Sequence, residues 1–291
     1  YAMGRALTHD LFWRGWWTTG LLGSIGAAIG AAKVMGLDAT QTREAINIAA
    51  CQATGPYVLV GSPVKPYACG RAAEAGVQAA LAARCGLEGP TQCFEHVNGF
   101  IAMYGNNRFV PEELAQLGSR FVLDTSQVTF KRYPVCSAGQ SSIEALQAIL
   151  VSNGLDGEDV ARVCSEVTSD VAHYMAVEHA TNITEAQFCL PFCLACVLRF
   201  GELTPRHLAP EIIEDAGIIN AMAKTDIIYS DQLDQLCEAR DDYQMPARIT
   251  VTTTSGQVLT ELIAAPTGLP SNAMSSEQID EKFLACARED P

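Results

Sequence analysis

Positive charge is scarce in this chain of 291 residues, in which 19 lysines and arginines stand against 33 aspartates and glutamates. No basic run occurs, and this argues against a nucleic-acid partner, because binding to a phosphate backbone requires clustered cations. Charged residues of both signs make up only 18% of the chain, whereas alanine and glycine are abundant. We therefore expect tightly packed helices, in which any anionic substrate is held by a few local cations.

A membrane-spanning run is also missing. The most apolar window, residues 20–32, is followed by Lys33 and holds too few large side chains to cross a bilayer. The chain opens on Tyr1 in a helical pattern, without an initiating methionine or a signal-peptide pattern. We expect no membrane partner, a natural amino terminus upstream of Tyr1, and a cytoplasmic location, with a eukaryotic organelle as the alternative.

Metal-site and disulfide patterns are absent as well. The five histidines form no pair with zinc-site spacing, and the eleven cysteines have no regular spacing, so reduced thiols are expected. Cys189, Cys193 and Cys196 have the spacing of a radical iron–sulfur motif, but a helical pattern surrounds them and places all three on one face. We predict that these three cysteines are core residues.

The most informative stretch that is present begins at Lys65 and continues through Gly70-Arg71-Ala72-Ala73 to Gly86. Alanine and leucine predict a helix that Gly86 ends, with Lys65 just before its first residue. The backbone N–H groups at a helix start favour an anion, and a lysine beside them adds a full charge, so a carboxylate or phosphate can bind there. The alternative is a solvated loop lysine in front of a core helix.

Secondary-structure patterns divide the chain near residue 120. The first part is helical throughout, whereas β-branched and aromatic residues at 128–133 predict a strand that Pro134 ends. Further predicted elements are a helix at 141–151, a strand at 160–168, a hairpin of 247–253 and 257–263, and a helix at 275–287. The second part is therefore predicted to be α+β, with the closing helix rejoining the first part.

A second cationic point, Lys131-Arg132, stands at the end of the predicted strand and is followed by Tyr133-Pro134-Val135-Cys136. Loops after strands often carry function, and together with Lys65 these cations are able to clamp a substrate with two or more carboxylates. Cys136 is a weak candidate for a nucleophile, because no histidine lies near it in sequence. His96, in a turn-rich segment, is a candidate acid or base, with a structural histidine as the alternative.

Several motifs carry a family resemblance through their order and spacing. They are Arg14-Gly15-Trp16-Trp17-Thr18-Thr19 with Gly23 and Gly26-Ala27-Ala28; Lys65 through Gly70-Arg71-Ala72-Ala73 to Gly86; Glu95 with Gly99-Phe100; Lys131 with Tyr133-Pro134 and Cys136; residues 185–192; and Lys282-Phe283. In these motifs the chain resembles the MmgE/PrpD family of dehydratases, decarboxylases and epimerases. The resemblance implies a mainly α fold: a large all-helical domain, here residues 1–120 and a returning helix at 269–291, with a smaller inserted α+β domain at 121–268 and the active site between them.

The resemblance also implies a chemistry, removal of a proton from the carbon next to a carboxylate, followed by loss of water or carbon dioxide or by reprotonation. Cations over the carboxylate would stabilise the charge that builds on its oxygens. Lys65 and Lys131 occupy matching family positions and are the expected catalytic anchors, with His96 as acid or base. The expected substrate-binding residues are Trp17, Arg71, Tyr133, Cys136, Gln140 and Phe192. No metal or organic cofactor is expected, and the expected partners are a carboxylated small molecule and a second copy of the chain.

Departures from the family pattern keep the function open. Trp17, Ala68 and Gln140 stand where the family often has histidine, Phe192 replaces a polar aromatic residue, and the family's amino-terminal segment precedes Tyr1. The leading hypothesis is a cofactor-independent lyase, either a dehydratase or a decarboxylase. The alternatives are an epimerase, isomerase or cyclase with a changed substrate, and a non-catalytic subunit or ligand-binding paralogue. The subunit could pair with a chain that supplies the missing segment.

Overall fold

The computed structural model describes residues 1–7, 10–106, 108–119, 121, 128–238 and 245–288. The chain divides into two compact units, residues 1–125 and 126–291. The domain boundary predicted near residue 120 lies outside the described residues. Within the part that is described, no helix is long and apolar enough to cross a membrane.

The first unit is built from helices. They are α1 (Ala2–Ala6), α2 (Asp10–Trp13), α3 (Thr18–Val34), α4 (Ala39–Ala50), α5 (Val64–Arg84), α6 (Phe100–Tyr104) and α7 (Glu112–Ala115). Asp38 begins α4 with the predicted capping box, in which its side chain accepts the Gln41 N–H at 2.8 Å and the Gln41 side chain accepts the Asp38 N–H. These caps satisfy backbone groups that the helix itself leaves unpaired.

Helices α3, α4 and α5 pack closely because the residues between them are small. Their shared core consists of alanines: Ala28, Ala45, Ala49, Ala79, Ala80 and Ala83. At Gly76 the backbones of α5 and α3 approach so closely that a Cβ would lie 2.5 Å from the Ala27 Cβ. The abundance of alanine and glycine thus has a structural cause, the close approach of three helices.

The second unit combines helices with a sheet. Its helices are α8 (Gln140–Asn153), α9 (Ser169–Tyr174), α10 (Ile183–Ala186), α11 (Leu190–Phe200), α12 (Pro210–Ile213), α13 (Ala216–Met222), α14 (Asp231–Glu238) and α15 (Ser276–Arg288). Its strands are β1 (Val160–Val167), β2 (Thr225–Tyr229), β3 (Ala247–Thr253) and β4 (Val258–Ile263), in the order β2-β1-β3-β4. β2 runs parallel to β1, and the other two pairings are antiparallel.

The core of the second unit lies between the sheet and helices α8 and α11. The cysteines Cys189, Cys193 and Cys196 at the start and along the inner face of α11 are all fully buried, and Gly201 ends the helix in the left-handed conformation, as predicted. Burial raises the pKa of the Cys193 thiol well above its usual value. The prediction that these three are core residues is confirmed.

The predicted fold class, a large helical domain with a smaller α+β insertion, is wrong. The α+β unit is the longer of the two, contains a four-stranded mixed sheet, and continues to the end of the chain. Helix α15 belongs to this second unit, where the Lys282 ammonium group donates to the backbone carbonyl of Lys131. The return of α15 to the helical domain stays a prediction, because the apolar side chains Ile279, Phe283 and Leu284 on this helix are exposed.

Two local predictions are also corrected. Residues 128–133 form no strand, because the backbone groups of Tyr133 bond to the Gln140 side chain instead of a neighbouring strand. Strand β2 was not predicted, since it has only five residues at the edge of the sheet directly after α13.

Candidate functional site

Lys65 and Arg71 lie at the start of α5. This helix begins at Val64, so Lys65 occupies its first turn and not the preceding loop as predicted; its N–H donates to the Ser62 carbonyl at 3.1 Å, and its side chain is half-buried. Arg71 is exposed and pairs with Glu74 one turn further on. Lys65 is therefore near the positive end of the helix dipole, whereas Arg71 lies six residues further along the helix.

A cavity of about 290 Å³ opens beside this part of α5. Its lining includes Ala68 and Arg71 from α5 and Thr54, Gly55 and Pro56 from the segment after α4. Ala68, where the resemblance implies a histidine, therefore lines the same cavity as Arg71. The cavity has room for a small molecule beside a cation.

Trp17 supports this cavity from behind. The residue is almost completely buried at the start of α3, and its backbone N–H donates to the Gly55 carbonyl at 2.7 Å. A Cβ on Gly20, one turn along α3, would lie 2.6 Å from the Thr54 carbonyl oxygen. The first turn of α3 and the cavity wall at residues 54–55 are thus fixed against each other, and Trp17 contributes through packing.

His96 lines a different cavity of about 640 Å³. The imidazole is exposed, and its Nδ1 accepts the Asn98 N–H at 3.1 Å, which leaves Nε2 as the protonated nitrogen of the neutral ring. Phe100 and Tyr104 form an apolar wall of this cavity, and burial raises the pKa of the Tyr104 hydroxyl. Arg14, from the first family motif, donates to the Tyr104 carbonyl at 2.6 Å and so fixes the end of α6.

In the second unit, the loop 131–136 is held by one side chain. Gln140 is 4% exposed; its Oε1 accepts the Tyr133 N–H at 2.9 Å, and its Nε2 donates to the carbonyls of Tyr133 at 3.1 Å and Cys136 at 3.4 Å. The Cys136 N–H donates to the Gln187 carbonyl at 2.9 Å. The loop that carries Lys131 is therefore fixed on both sides.

Tyr133 is buried behind this loop. Its hydroxyl donates to the Gln147 Oε1 at 2.5 Å, and burial raises its pKa well above the usual value, with Arg132 acting in the opposite direction and Glu144 adding to the rise. Glu144 lies 4.0 Å from Arg132 and accepts both the N–H and the hydroxyl of Thr267. The Tyr133 hydroxyl and the Gln140 amide thus both have hydrogen-bond partners within the protein.

Lys282 is a site residue that sequence reasoning missed. Its ammonium group donates to the Lys131 carbonyl, so two lysines 151 residues apart in sequence meet at one loop. Burial lowers the pKa of Lys282, and the charge of Lys131 lowers it further. The only sequence signal was its presence in a family motif, because spacing alone does not connect it to Lys131.

Seven of the nine predicted site residues fall into three groups. Lys65 and Arg71 lie on α5, and His96 lies at the other cavity of the first unit. Lys131, Tyr133 and Cys136 share one loop of the second unit, which Gln140 at the start of α8 holds. Phe192, with 1% exposure, lies in the core of the second unit and lines a third cavity of about 470 Å³. Their roles in binding and catalysis stay predictions.

The chain belongs to the MmgE/PrpD family, which confirms the resemblance. Residues 3–112 match the MmgE/PrpD N-terminal domain, and residues 133–289 match the MmgE/PrpD C-terminal domain.

Among curated relatives, the chain is similar to the cis-aconitate decarboxylase of Homo sapiens, with 27% identity over 273 residues, covering 92% of this chain and 55% of that protein. The cis-aconitate decarboxylase of Mus musculus is 35% identical over 130 residues, covering 44% of this chain and 26% of that protein. A cis-aconitate decarboxylase-like protein of Aspergillus oryzae is 26% identical over 295 residues, covering 96% of this chain and 59% of that protein. The chain spans little more than half the length of the human and Aspergillus relatives.

Proposed function

We propose that this chain is part of a lyase that acts on a carboxylated small molecule by removing a proton from the carbon next to a carboxylate. Family membership and the decarboxylase relatives support this class of reaction. The observation that carries the proposal is the contact of the Lys282 ammonium group with the backbone carbonyl of Lys131, which brings a second lysine to the loop 131–136 in a chain that is otherwise poor in positive charge.

The role of these cations follows from the charge that the reaction develops. When a proton leaves the carbon next to a carboxylate, negative charge builds on the carboxylate oxygens, and cations already in position stabilise it without reorganisation. Gln140 fixes the Lys131 loop, and the Lys282 contact adds a second cation to it. In the first unit, Lys65 and Arg71 provide cations on α5, and Arg71 lines the 290 Å³ cavity there.

His96 is the proposed acid or base. The His96 Nδ1 accepts the Asn98 N–H, so Nε2 is the nitrogen that remains for proton transfer. His96→Asn keeps a polar side chain and removes the titrating group, and we expect a loss of about 10²–10⁴-fold in turnover. An unchanged rate would assign the proton transfer to another residue.

The experiment is solvent deuterium exchange with the full-length protein and a panel of di- and tricarboxylates, including cis-aconitate. Loss of carbon dioxide, loss of water and exchange without a change in the carbon skeleton distinguish decarboxylase, dehydratase and epimerase. Lys33→Ala, at an exposed position in the last turn of α3, is the control for the other lysine variants. Absence of exchange with every compound would overturn the proposed chemistry.

A second candidate, a non-catalytic ligand-binding subunit, is favoured by the environment of two of the four departures from the family pattern. The Gln140 side-chain amide forms hydrogen bonds with the backbone of the loop, and Phe192 is buried in the core, so neither side chain supplies a group for proton transfer. This candidate predicts that carboxylates raise the melting temperature without any exchange. Ala68→His restores the family histidine in the 290 Å³ cavity, and activity that appears only in this variant would support the non-catalytic alternative.

A further inference from the structure

Two cysteines from distant parts of the sequence meet at the 640 Å³ cavity. The Sγ atoms of Cys51, at the end of α4, and Cys93 lie 3.9 Å apart, although 42 residues separate them in sequence. Both residues line the cavity that also contains His96. All eleven cysteines of the chain are free thiols in the structure.

The backbone on both sides keeps the two sulfurs together. The Cys51 N–H donates to the Asn47 carbonyl at 3.3 Å, and the Cys93 thiol donates to the same carbonyl at 3.5 Å. The Cys93 carbonyl accepts the Phe100 N–H at 2.8 Å. The last turn of α4 and the segment around residue 93 therefore hold the thiols in van der Waals contact, and a disulfide requires a further approach to about 2 Å.

We propose that Cys51 and Cys93 are a redox-active pair that a hydroperoxide converts to a disulfide, which thiol reductants reverse. Cys51 is exposed and Cys93 is half-buried, so Cys51 reacts first. Its sulfur attacks the peroxide oxygen, the O–O bond breaks, and a sulfenic acid and one water (or alcohol) form. The Cys93 sulfur then attacks the Cys51 sulfur, the S–O bond breaks, and the hydroxyl leaves as water with the Cys93 proton.

The order of the two steps, with Cys51 oxidised first, agrees with the surroundings of Cys93. Burial, together with Cys51 and Glu95, raises the pKa of Cys93 to about 12, which keeps it as a thiol while the exposed partner reacts. The disulfide would tie the end of α4 to the segment 90–99, and both form walls of the 640 Å³ cavity. Oxidation would thus fix the wall that carries His96, whatever reaction the protein performs.

The test treats the reduced full-length protein with hydrogen peroxide, alkylates the remaining thiols and analyses a non-reducing digest by mass spectrometry. Trypsin alone is insufficient, because no tryptic site separates Cys51 from Cys69 or Cys85 from Cys93. Added chymotrypsin cleaves after Tyr57 and Leu87 and separates both pairs. We expect the loss of two thiols per chain and one linked peptide that joins Cys51 to Cys93, and dithiothreitol should abolish it.

Variants make the assignment specific. Cys51→Ser and Cys93→Ser should each abolish the linked peptide, whereas Cys85→Ser, at an exposed position, should leave it unchanged. Cys51 lies on the surface, so its replacement leaves the core intact. The proposal is overturned if Cys51 is oxidised to the sulfinic acid without a link to Cys93. It is equally overturned if Cys51 links only to another cysteine or to a second chain.

Discussion

Gln140→Ala tests whether the Lys131 loop depends on one side chain. The substitution leaves the N–H and carbonyl groups of Tyr133 without the bonds of 2.9 and 3.1 Å that Gln140 now makes, and it removes the weaker bond to Cys136. A buried polar group without a partner costs about 1–3 kcal/mol, so with two such groups on Tyr133 the stability of the loop against local opening falls by roughly 2–4 kcal/mol. The control is Gln78→Ala, at an exposed position on α5 where the amide donates only to Glu74, and its effect should stay within about 0.5 kcal/mol.

The assay for Gln140→Ala is hydrogen–deuterium exchange of peptides that cover residues 130–140. A loss of about 2–4 kcal/mol corresponds to exchange that is roughly 30- to 700-fold faster at the Tyr133 amide. Tryptophan fluorescence gives an internal reference, because the three tryptophans, Trp13, Trp16 and Trp17, all belong to the first unit. Exchange at Tyr133 that changes by less than about threefold would refute the role assigned to Gln140.

Three further predictions concern packing and titration. Gly76→Ala should destabilise the protein by about 1–3 kcal/mol in urea unfolding, because the new Cβ would collide with α3. The control Gly70→Ala, on the same helix, meets no atom within 4 Å and should be neutral or stabilising. Equal effects of the two substitutions would contradict the packing described. Because the pKa of Tyr133 is raised in the folded protein, the free energy of unfolding is unaffected below pH 10.0, the pKa of an unperturbed tyrosine, and falls as the pH rises above it. Tyr133→Phe should therefore reduce the slope of the free energy of unfolding against pH in this alkaline range. An unchanged slope would show that another group causes the decrease. Cys193, buried and with a raised pKa, should react with a thiol reagent only after unfolding, and rapid labelling of the native protein would exclude its burial in α11.

Local signals in the sequence predicted the elements that short-range chemistry determines. The Asp38 capping box, the helix stop at Gly201 and the hairpin around Ser255-Gly256 each depend on residues within a few positions of one another. The burial of the three cysteines on α11 followed from their helical spacing. In these cases local propensity and tertiary packing favour the same structure.

Other features depend on contacts between distant residues, which one sequence does not show. The segment 128–133 has the composition of a strand, yet at Tyr133 the side chain of Gln140 takes the backbone bonds that a neighbouring strand would need. Lys282 meets Lys131 across 151 residues, and Cys51 meets Cys93 across 42. The family resemblance identified the lysines, but their shared loop became visible only in the structure.

The central claim is that cations at fixed positions stabilise the charge formed when a proton leaves the carbon next to a carboxylate. Its most direct test is the rate of solvent deuterium incorporation at that carbon, compared between the unaltered full-length protein, Lys131→Ala and the control Lys33→Ala. We predict incorporation in the unaltered protein and the control, with a loss of about 10²–10³-fold in Lys131→Ala. No incorporation with any carboxylate tested, or equal rates in all three proteins, would contradict the claim.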